Sequence, residues 1–395
     1  MTRADGTRRL RRRSLVPLGL ALAAASACGG DGAQAPAAEE PATPGCRDAA
    51  LPSAALYRVC FPQSWNGDLV IYAHGYVAGS EPLALPGDQV GGQSIPGVVN
   101  GLGYAYATTS YRANGLVADL AVDDVVELAD EVRRRFQPDP SRTFVVGVSE
   151  GGLVATLAAE RRPAVVSGAL AACGPIGDFT AQVDYYGDFR VVFDYFFPGV
   201  IPGDPVDVPD GVRSQWNTTY APAVTAALDA DPGGALELLT VTGAPHAAAD
   251  LSATAATVLA ALWYDIFALP DAKARLGGQP YDNIGRSYHG SADDPALNAG
   301  VARVSADAGA RAGLGAFETS GEPAAPLVTL HTTRDPIVPA DQSERYGEKV
   351  AAAGAGVLLE QRTVDRYGHC AFQSSELLDA FAAMIQRASA AARID

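Results

Sequence analysis

Short apolar, β-branched runs alternate with longer stretches of helical periodicity along most of the chain. Alternation at period two predicts a strand over Ala55–Phe61, and buried runs predict strands at Asp68–Ala73, Tyr104–Thr109, Thr143–Val148 and Val165–Ala172. Between them, apolar spacing of three and four predicts a short helix over 96–102, a long one over 116–136 and another directly after Ser149. The rhythm stops at Ile176 and resumes near Pro323, with strands at Ala325–His331 and Gly356–Thr363 and helices over 341–351 and 374–388. Strand-helix alternation implies an α/β fold, a doubly wound, mostly parallel sheet with right-handed crossovers. It divides the chain into a first core part, 46–175, and a second, 324–395. Residues 176–323 form an expected, mainly helical insertion, with helical patterns over 221–228, 235–240 and 247–269 and an irregular stretch over 280–296. Within it, Phe189, Phe193 and Phe197 recur at spacing four and so share one face of a helix. An insertion at this point is expected to cover the C-terminal edge of the sheet as a lid, where open α/β sheets bind ligands.

The N-terminal 27 residues break the pattern differently. Arg8, Arg9, Arg11, Arg12 and Arg13 precede an apolar run, Ser14–Ala27, that is too short to span a bilayer. This reads as an export signal over 1–27. Ala25-Ser26-Ala27-Cys28 resembles a bacterial lipobox, which makes Cys28 the lipidation candidate, and Arg12-Arg13-Ser14-Leu15 resembles a twin-arginine signal. Cleavage without lipid is the alternative. Residues 28–45, rich in Gly, Ala, Pro and Glu, are expected to be a disordered tether. The expected location is therefore periplasmic, cell-surface or secreted, with a membrane partner through the lipid.

Charge narrows the partners. The chain of 395 residues carries a formal charge of −16 and only two lysines, Lys273 and Lys349. So acidic a body repels nucleic acid. Five cysteines are present, and lipid on Cys28 leaves four, Cys46, Cys60, Cys173 and Cys370, enough for two disulfides in an oxidising compartment. Four cysteines allow three pairings. No close Cys/His spacing supports zinc, and no nucleotide, haem or metal motif is present, so no cofactor is expected.

The chemistry concentrates at Thr143–Gly152. A strand climbs into Gly147-Val148-Ser149-Glu150-Gly151, and a helical pattern follows at once. This is G-x-S-x-G in its strand-turn-helix context, the arrangement that lifts a serine hydroxyl above a sheet. Further along, Asp335 follows a buried strand, and His369 lies between the last strand and the last helix. That chain order of Ser, acid and His is the order of α/β-hydrolases.

The sequence resembles a secreted α/β-hydrolase over about 50–173 and 323–390, on His74-Gly75, Gly147–Gly151, Asp335 and Gly368-His369. Broadly, it looks like the secreted esterase, tannase and prolyl-oligopeptidase-like branches. Cys370 follows His369 as in tannase-like enzymes, but Val148 stands where those carry a cysteine. The resemblance implies the α/β-hydrolase fold, Ser149 as nucleophile, His369 as base and Asp335 as its orienting acid. Asp341 and Asp365 are the alternative acids and read as solvated or capping carboxylates. His331 reads as structural, while His246 and His289 fall in the insertion. The resemblance also makes His74-Gly75 the start of an oxyanion loop, with the backbone N–H groups of Tyr76 and Glu150 as donors. In that fold Cys173 and Cys370 both lie at the C-terminal edge of the sheet. This favours a Cys173–Cys370 bond, with Cys46–Cys60 as the local pair.

The expected function is hydrolysis of a carboxylic ester through an acyl-enzyme, with a small-molecule ester or peptide as substrate. The alternative is a serine peptidase of prolyl-oligopeptidase-like type, in which Asp184, Asp188 and Asp194 would supply carboxylates for a substrate amine. A non-catalytic envelope binding protein on the same fold is the third reading.

Overall fold

The computed structural model describes residues 40–246 and 251–391. The export signal, Cys28 and the tether as far as residue 39 lie outside the described residues.

Eight strands make the central sheet: β1 (Gly45–Ala50), β2 (Leu56–Phe61), β3 (Asp68–Ala73), β4 (Ala105–Thr109), β5 (Arg142–Val148), β6 (Gly168–Ala172), β7 (Leu327–Arg334) and β8 (Leu359–Tyr367). Their spatial order is β1-β2-β4-β3-β5-β6-β7-β8. Only β2 runs against its neighbours, β1 and β4. The remaining pairs are parallel. Every position of β3, β4 and β6 is buried, as a parallel sheet covered on both faces requires.

Twelve α-helices lie among the described residues. The short α1 (Ile95–Gly101) packs on one face of the sheet. The long α2 (Ala118–Arg135) and α3 (Glu150–Arg161) pack on the other. Between β6 and β7 come α4 (Phe179–Phe196), α5 (Asp210–Ser214), α6 (Ala221–Ala230), α7 (Pro232–Thr242), α8 (Leu251–Leu276), α9 (Asp294–Gly300) and α10 (Ala308–Gly313). Finally α11 (Asp341–Ala352) joins the α2–α3 face, and α12 (Ser374–Ala391) joins α1. Helix α8 is long and apolar enough to cross a membrane by length and composition, and here it packs against α4, α6 and α7 as a core helix.

The insertion is held together by more than apolar contact. Arg190 of α4 is fully buried and reaches Asp194 at 2.9 Å and Asp265 of α8 at 3.4 Å. Such a pair, once buried, is costly to break because it strands the remaining charges. Phe189, Phe193 and Phe197 are buried in this core. They line no cavity at the site, so the face they share serves packing.

Order begins earlier than the tether reading allowed. Glu40–Pro41 pairs in parallel with Phe136–Gln137, and the Arg135 guanidinium holds the Glu40 carboxylate at 2.6 Å. The next strand then starts at Gly45, where Cys46 sits directly opposite Cys60 and is bonded to it. A Gly/Ala/Pro-rich composition gave no hint of this, because the partners are more than 90 residues away along the chain.

Candidate active site

Ser149 sits between β5 and α3 with φ +57° and ψ −126°, a conformation side chains rarely adopt. The flanking glycines make the turn possible. A Cβ on Gly147 would lie 1.8 Å from the Gly151 carbonyl oxygen, and one on Gly151 would lie 2.0 Å from that of Ala73. The Ser149 N–H donates to the Ala172 carbonyl at 2.9 Å, which ties the turn to β6.

His369 reaches this serine from the far end of the chain. Its Nε2 lies 2.8 Å from the Ser149 Oγ, and its Nδ1 lies 2.8 Å from Asp335 Oδ2. Asp335 is 1% exposed, and its other oxygen accepts from the N–H groups of Ile337 at 2.9 Å and Val338 at 3.0 Å. The carboxylate is thus fixed by backbone on one side and faces the imidazole on the other. Of the other candidate acids, Asp341 pairs with Arg345, and Asp365 accepts from Thr333 at the surface. Neither meets His369. His331 bonds the Val338 carbonyl at 2.9 Å, and burial pushes its pKa down.

The histidine loop is clamped at several points. Gly368 donates to the Arg334 carbonyl at 3.0 Å and accepts from the Thr332 hydroxyl at 2.7 Å. Cys370 is disulfide-bonded to Cys173 at the end of β6. With both sulfurs so engaged, the Cys173–His369–Cys370 grouping has no thiolate to offer a metal.

Of the two expected oxyanion donors, the Tyr76 and Glu150 N–H groups have no hydrogen-bond partner among the described residues. Gly75 lies against the serine, where a Cβ would come within 3.2 Å of the Ser149 Cβ. His74 is buried and stacked on Tyr111 at 4.1 Å, with its Nδ1 2.7 Å from the Gly75 carbonyl oxygen. These contacts fix its ring within the loop.

Three side chains at the site carry no motif. Tyr264 of α8 faces Ser149. Burial pushes its phenol up to about 12, an effect the serine hydroxyl partly offsets. Asp271, seven residues on and so on the same helical face, accepts from the Tyr76 hydroxyl and, at 2.8 Å, from the Gly79 N–H. The third is the Glu150 side chain, which turns away from the serine and accepts from the Val117 N–H at 3.2 Å, at the start of α2. Burial pushes its carboxyl up to about 8. Nothing in the sequence singles out Tyr264 and Asp271, since α8 also carries Asp265, Lys273 and Arg275. Nearer the start of α8, Thr257 bonds the Tyr367 hydroxyl beside the histidine loop. This single helix therefore touches the oxyanion loop, the serine and the histidine loop.

Two cavities meet at Ser149. One, about 440 Å³, runs along the α1/α12 face of the sheet and includes His369 in its wall. The other, about 60 Å³, lies under the insertion between Phe179, Val183, Tyr186 and Leu269, with Glu150 but not His369 at its edge. The acidic side chains of α4 are elsewhere engaged. Asp184 is bound by Arg286 and Arg311, Asp188 by Arg286, Tyr281 and Tyr288, and Asp194 by Arg190. None of the three lines either cavity.

The strand order with a reversed second strand, the serine on a sharp turn after β5, and the histidine after the last strand define an α/β-hydrolase fold. The prolyl oligopeptidase family model matches residues 98–188, from α1 through the serine turn into α4. No curated protein matches. Among solved structures, a puromycin hydrolase is 13% identical with a TM-score of 0.40, covering 88% of this chain and 39% of its own. The Pyrococcus furiosus esterase Pf2001 is 12% identical with a TM-score of 0.44, covering 87% of this chain and 90% of its own. Feruloyl esterase B from Aspergillus oryzae is 12% identical with a TM-score of 0.45, covering 82% and 74%. The chain thus spans about two fifths of the puromycin hydrolase.

Proposed function

We propose that the protein is an exported carboxylic-ester hydrolase working through Ser149, His369 and Asp335. The observation that carries this reading is the pair of 2.8 Å contacts that places the His369 ring between the Ser149 hydroxyl and the buried Asp335 carboxylate. His369 Nε2 takes the serine proton as Oγ attacks the ester carbonyl, and Asp335 holds Nδ1–H so that Nε2 is the basic nitrogen. Negative charge on the carbonyl oxygen meets the N–H groups of Tyr76 and Glu150, which have no hydrogen-bond partner among the described residues. The imidazolium then protonates the leaving oxygen, and water repeats the sequence to free the acid.

Ester cleavage is favoured over removal of N-terminal amino acids by the state of the insertion's carboxylates. Asp184, Asp188 and Asp194 are neutralised by arginines and stand away from the serine, which leaves them unsuited to hold a substrate amine. The family-model match over 98–188 keeps a prolyl-oligopeptidase-like peptidase as the second reading. Export is supported by the two disulfides, which persist in oxidising compartments. The lipid on Cys28 belongs to the same proposal.

The test is hydrolysis of p-nitrophenyl acetate against aminoacyl-p-nitroanilides by wild type and Ser149→Ala. The ester should be cleaved, the anilides left, and Ser149→Ala should lose several orders of magnitude in kcat while remaining folded. Preferential anilide cleavage would establish the peptidase reading instead. Undiminished hydrolysis by a folded Ser149→Ala protein would remove both.

A further inference from the structure

The central strand β5 carries an anomaly. Val145 is fully buried on the α2–α3 face, whereas Val146 and Val148, on the α1/α12 face, are only half-buried. Helix α1 has seven residues, and between it and α12 the sheet offers an apolar floor in which Val146 and Val148 are half-buried and the buried Val70 and Leu170 form the inner end. Val98 of α1 and Leu377 and Phe381 of α12 make the walls. The hairpin Gln89–Ser94 closes over it, with Gly91 so near α12 that a Cβ there would sit 2.3 Å from the Ser374 Oγ. A hydrogen bond from the Tyr72 hydroxyl to Asp88 at 2.9 Å holds that segment down. The result is a roofed apolar groove of about 440 Å³ that opens on Ser149 and His369.

Its depth follows from the register. Val70 pairs with Phe144, five residues below Ser149, so the groove reaches roughly 16 Å at about 3.3 Å per strand residue. An extended alkyl chain advances about 1.3 Å per carbon, given C–C bonds of about 1.5 Å, so about twelve chain atoms span the groove, of which about ten are carbons once the ester oxygen and clearance at the inner end are allowed for.

Which half of an ester lies there is decided by proton transfer. The leaving oxygen must come within hydrogen-bond reach of His369 Nε2 to take the proton that Ser149 gave up. His369 is in the wall of the groove and absent from the small insertion cavity. The insertion cavity instead borders Glu150, whose N–H is one of the two donors assigned to the carbonyl oxygen (the other, Tyr76, lines both cavities), and its volume of about 60 Å³ suits only a small group.

Resting on the ester-hydrolase reading above, we propose that the groove is the leaving-group site and takes a linear apolar alcohol of about eight to ten carbons, while the insertion cavity takes a short acyl group. Ser149 Oγ bonds to the carbonyl carbon, the bond from that carbon to the alkoxy oxygen breaks, and the serine proton passes through His369 to the departing alcohol. Water then adds to the acyl carbon, the bond to Oγ breaks, and the short acid leaves as Ser149 regains a proton.

The experiment compares kcat/KM for ethyl acetate, butyl acetate, decyl acetate and ethyl decanoate. Decyl acetate should exceed butyl acetate at least a hundredfold, since six added methylenes are buried, and ethyl decanoate should fall below ethyl acetate. Leu377→Trp and, separately, Val98→Trp plug the groove from opposite walls. Each should lower the ratio of kcat/KM for decyl acetate to that for ethyl acetate tenfold or more. Independently of turnover, 1-decanol should raise the melting temperature of Ser149→Ala more than 1-butanol does, which serves if either plugged variant fails to fold. Preference for ethyl decanoate over decyl acetate, or hydrolysis of all the acetates alike with no shift from decanol, overturns the groove assignment and leaves the esterase standing. Failure to cleave any of the esters, ethyl acetate included, overturns the ester-hydrolase reading itself.

Discussion

The carboxyl of Glu150 accepts a hydrogen bond from the Val117 N–H at 3.2 Å, so the residue beside the candidate nucleophile also holds the first turn of α2. A helix start leaves N–H groups without intrahelical partners, and here a side chain from another helix supplies one. The group is 7% exposed, and burial raises its pKa from 4.5 to about 8. Below pH 4.5 the carboxyl is protonated in folded and unfolded chains alike and has no effect on the balance. Between 4.5 and about 8 the unfolded chain ionises while the folded one keeps its proton, so stability falls as pH rises. The slope is at most about 1.4 kcal/mol per pH unit. Glu150→Gln keeps an acceptor for Val117 and cannot ionise, so its urea midpoint should lose this decline across pH 5 to 8. Parallel pH profiles for the two proteins would assign the slope to other groups.

Asp335 is the acid that the geometry selects, and replacing it separates orientation from charge elsewhere. Asp335→Asn should cost roughly 10⁴ in kcat, because an amide facing Nδ1 favours the wrong imidazole tautomer. Asp341→Asn and Asp365→Asn should stay within about twofold, since one is paired with Arg345 and the other lies at the surface. A larger loss at either of those positions than at Asp335 would move the acid.

The two parts of the site differ in how far the sequence revealed them. Ser149, His369 and Asp335 were legible because each stands at a fixed place in the alternation of strands and helices, and the sheet brings those places together. The insertion has no such frame. Its spacing-four phenylalanines read equally as pocket or core, and only packing against α7 and α8 decides for core. The carboxylates of Asp184 and Asp188 looked free because their arginine partners, Arg286 and Arg311, lie about a hundred residues away or more. Tyr264 and Asp271 were invisible for a related reason. Their role depends on where α8 crosses the mouth of the sheet, which no local pattern encodes.

Asp271 is a positioning residue, acting through Tyr76 and Gly79 on the loop that carries one oxyanion donor. Asp271→Ala should lower kcat by about 10- to 100-fold, short of the 10²–10³ for outright loss of a donor, with KM little changed. Asp271→Asn retains an acceptor and should recover most of the rate. A purely structural contact would instead show equal losses in melting temperature for both variants and no split between kcat and KM.

The bond between Cys173 and Cys370 closes a loop of 197 residues between the end of β6 and the residue after His369. Chain-entropy reasoning puts a crosslink of that span near 5 kcal/mol. Its placement matters as much as its span. Cys173 follows the strand whose Ala172 carbonyl accepts from the Ser149 N–H, so the bridge links the frame of the serine to the frame of the base. Without it, the loop still keeps the Gly368 and Tyr367 hydrogen bonds, which hold it near but not fixed. A displacement of the imidazole by about an ångström costs on the order of a hundredfold in rate. Cys173→Ala/Cys370→Ala should therefore lose activity at temperatures well below its unfolding transition, and mild reduction of the wild type should do the same. Measuring turnover and near-ultraviolet circular dichroism on one thermal ramp separates the outcomes. If activity falls only where the dichroism does, the bond stabilises the fold without setting the position of His369.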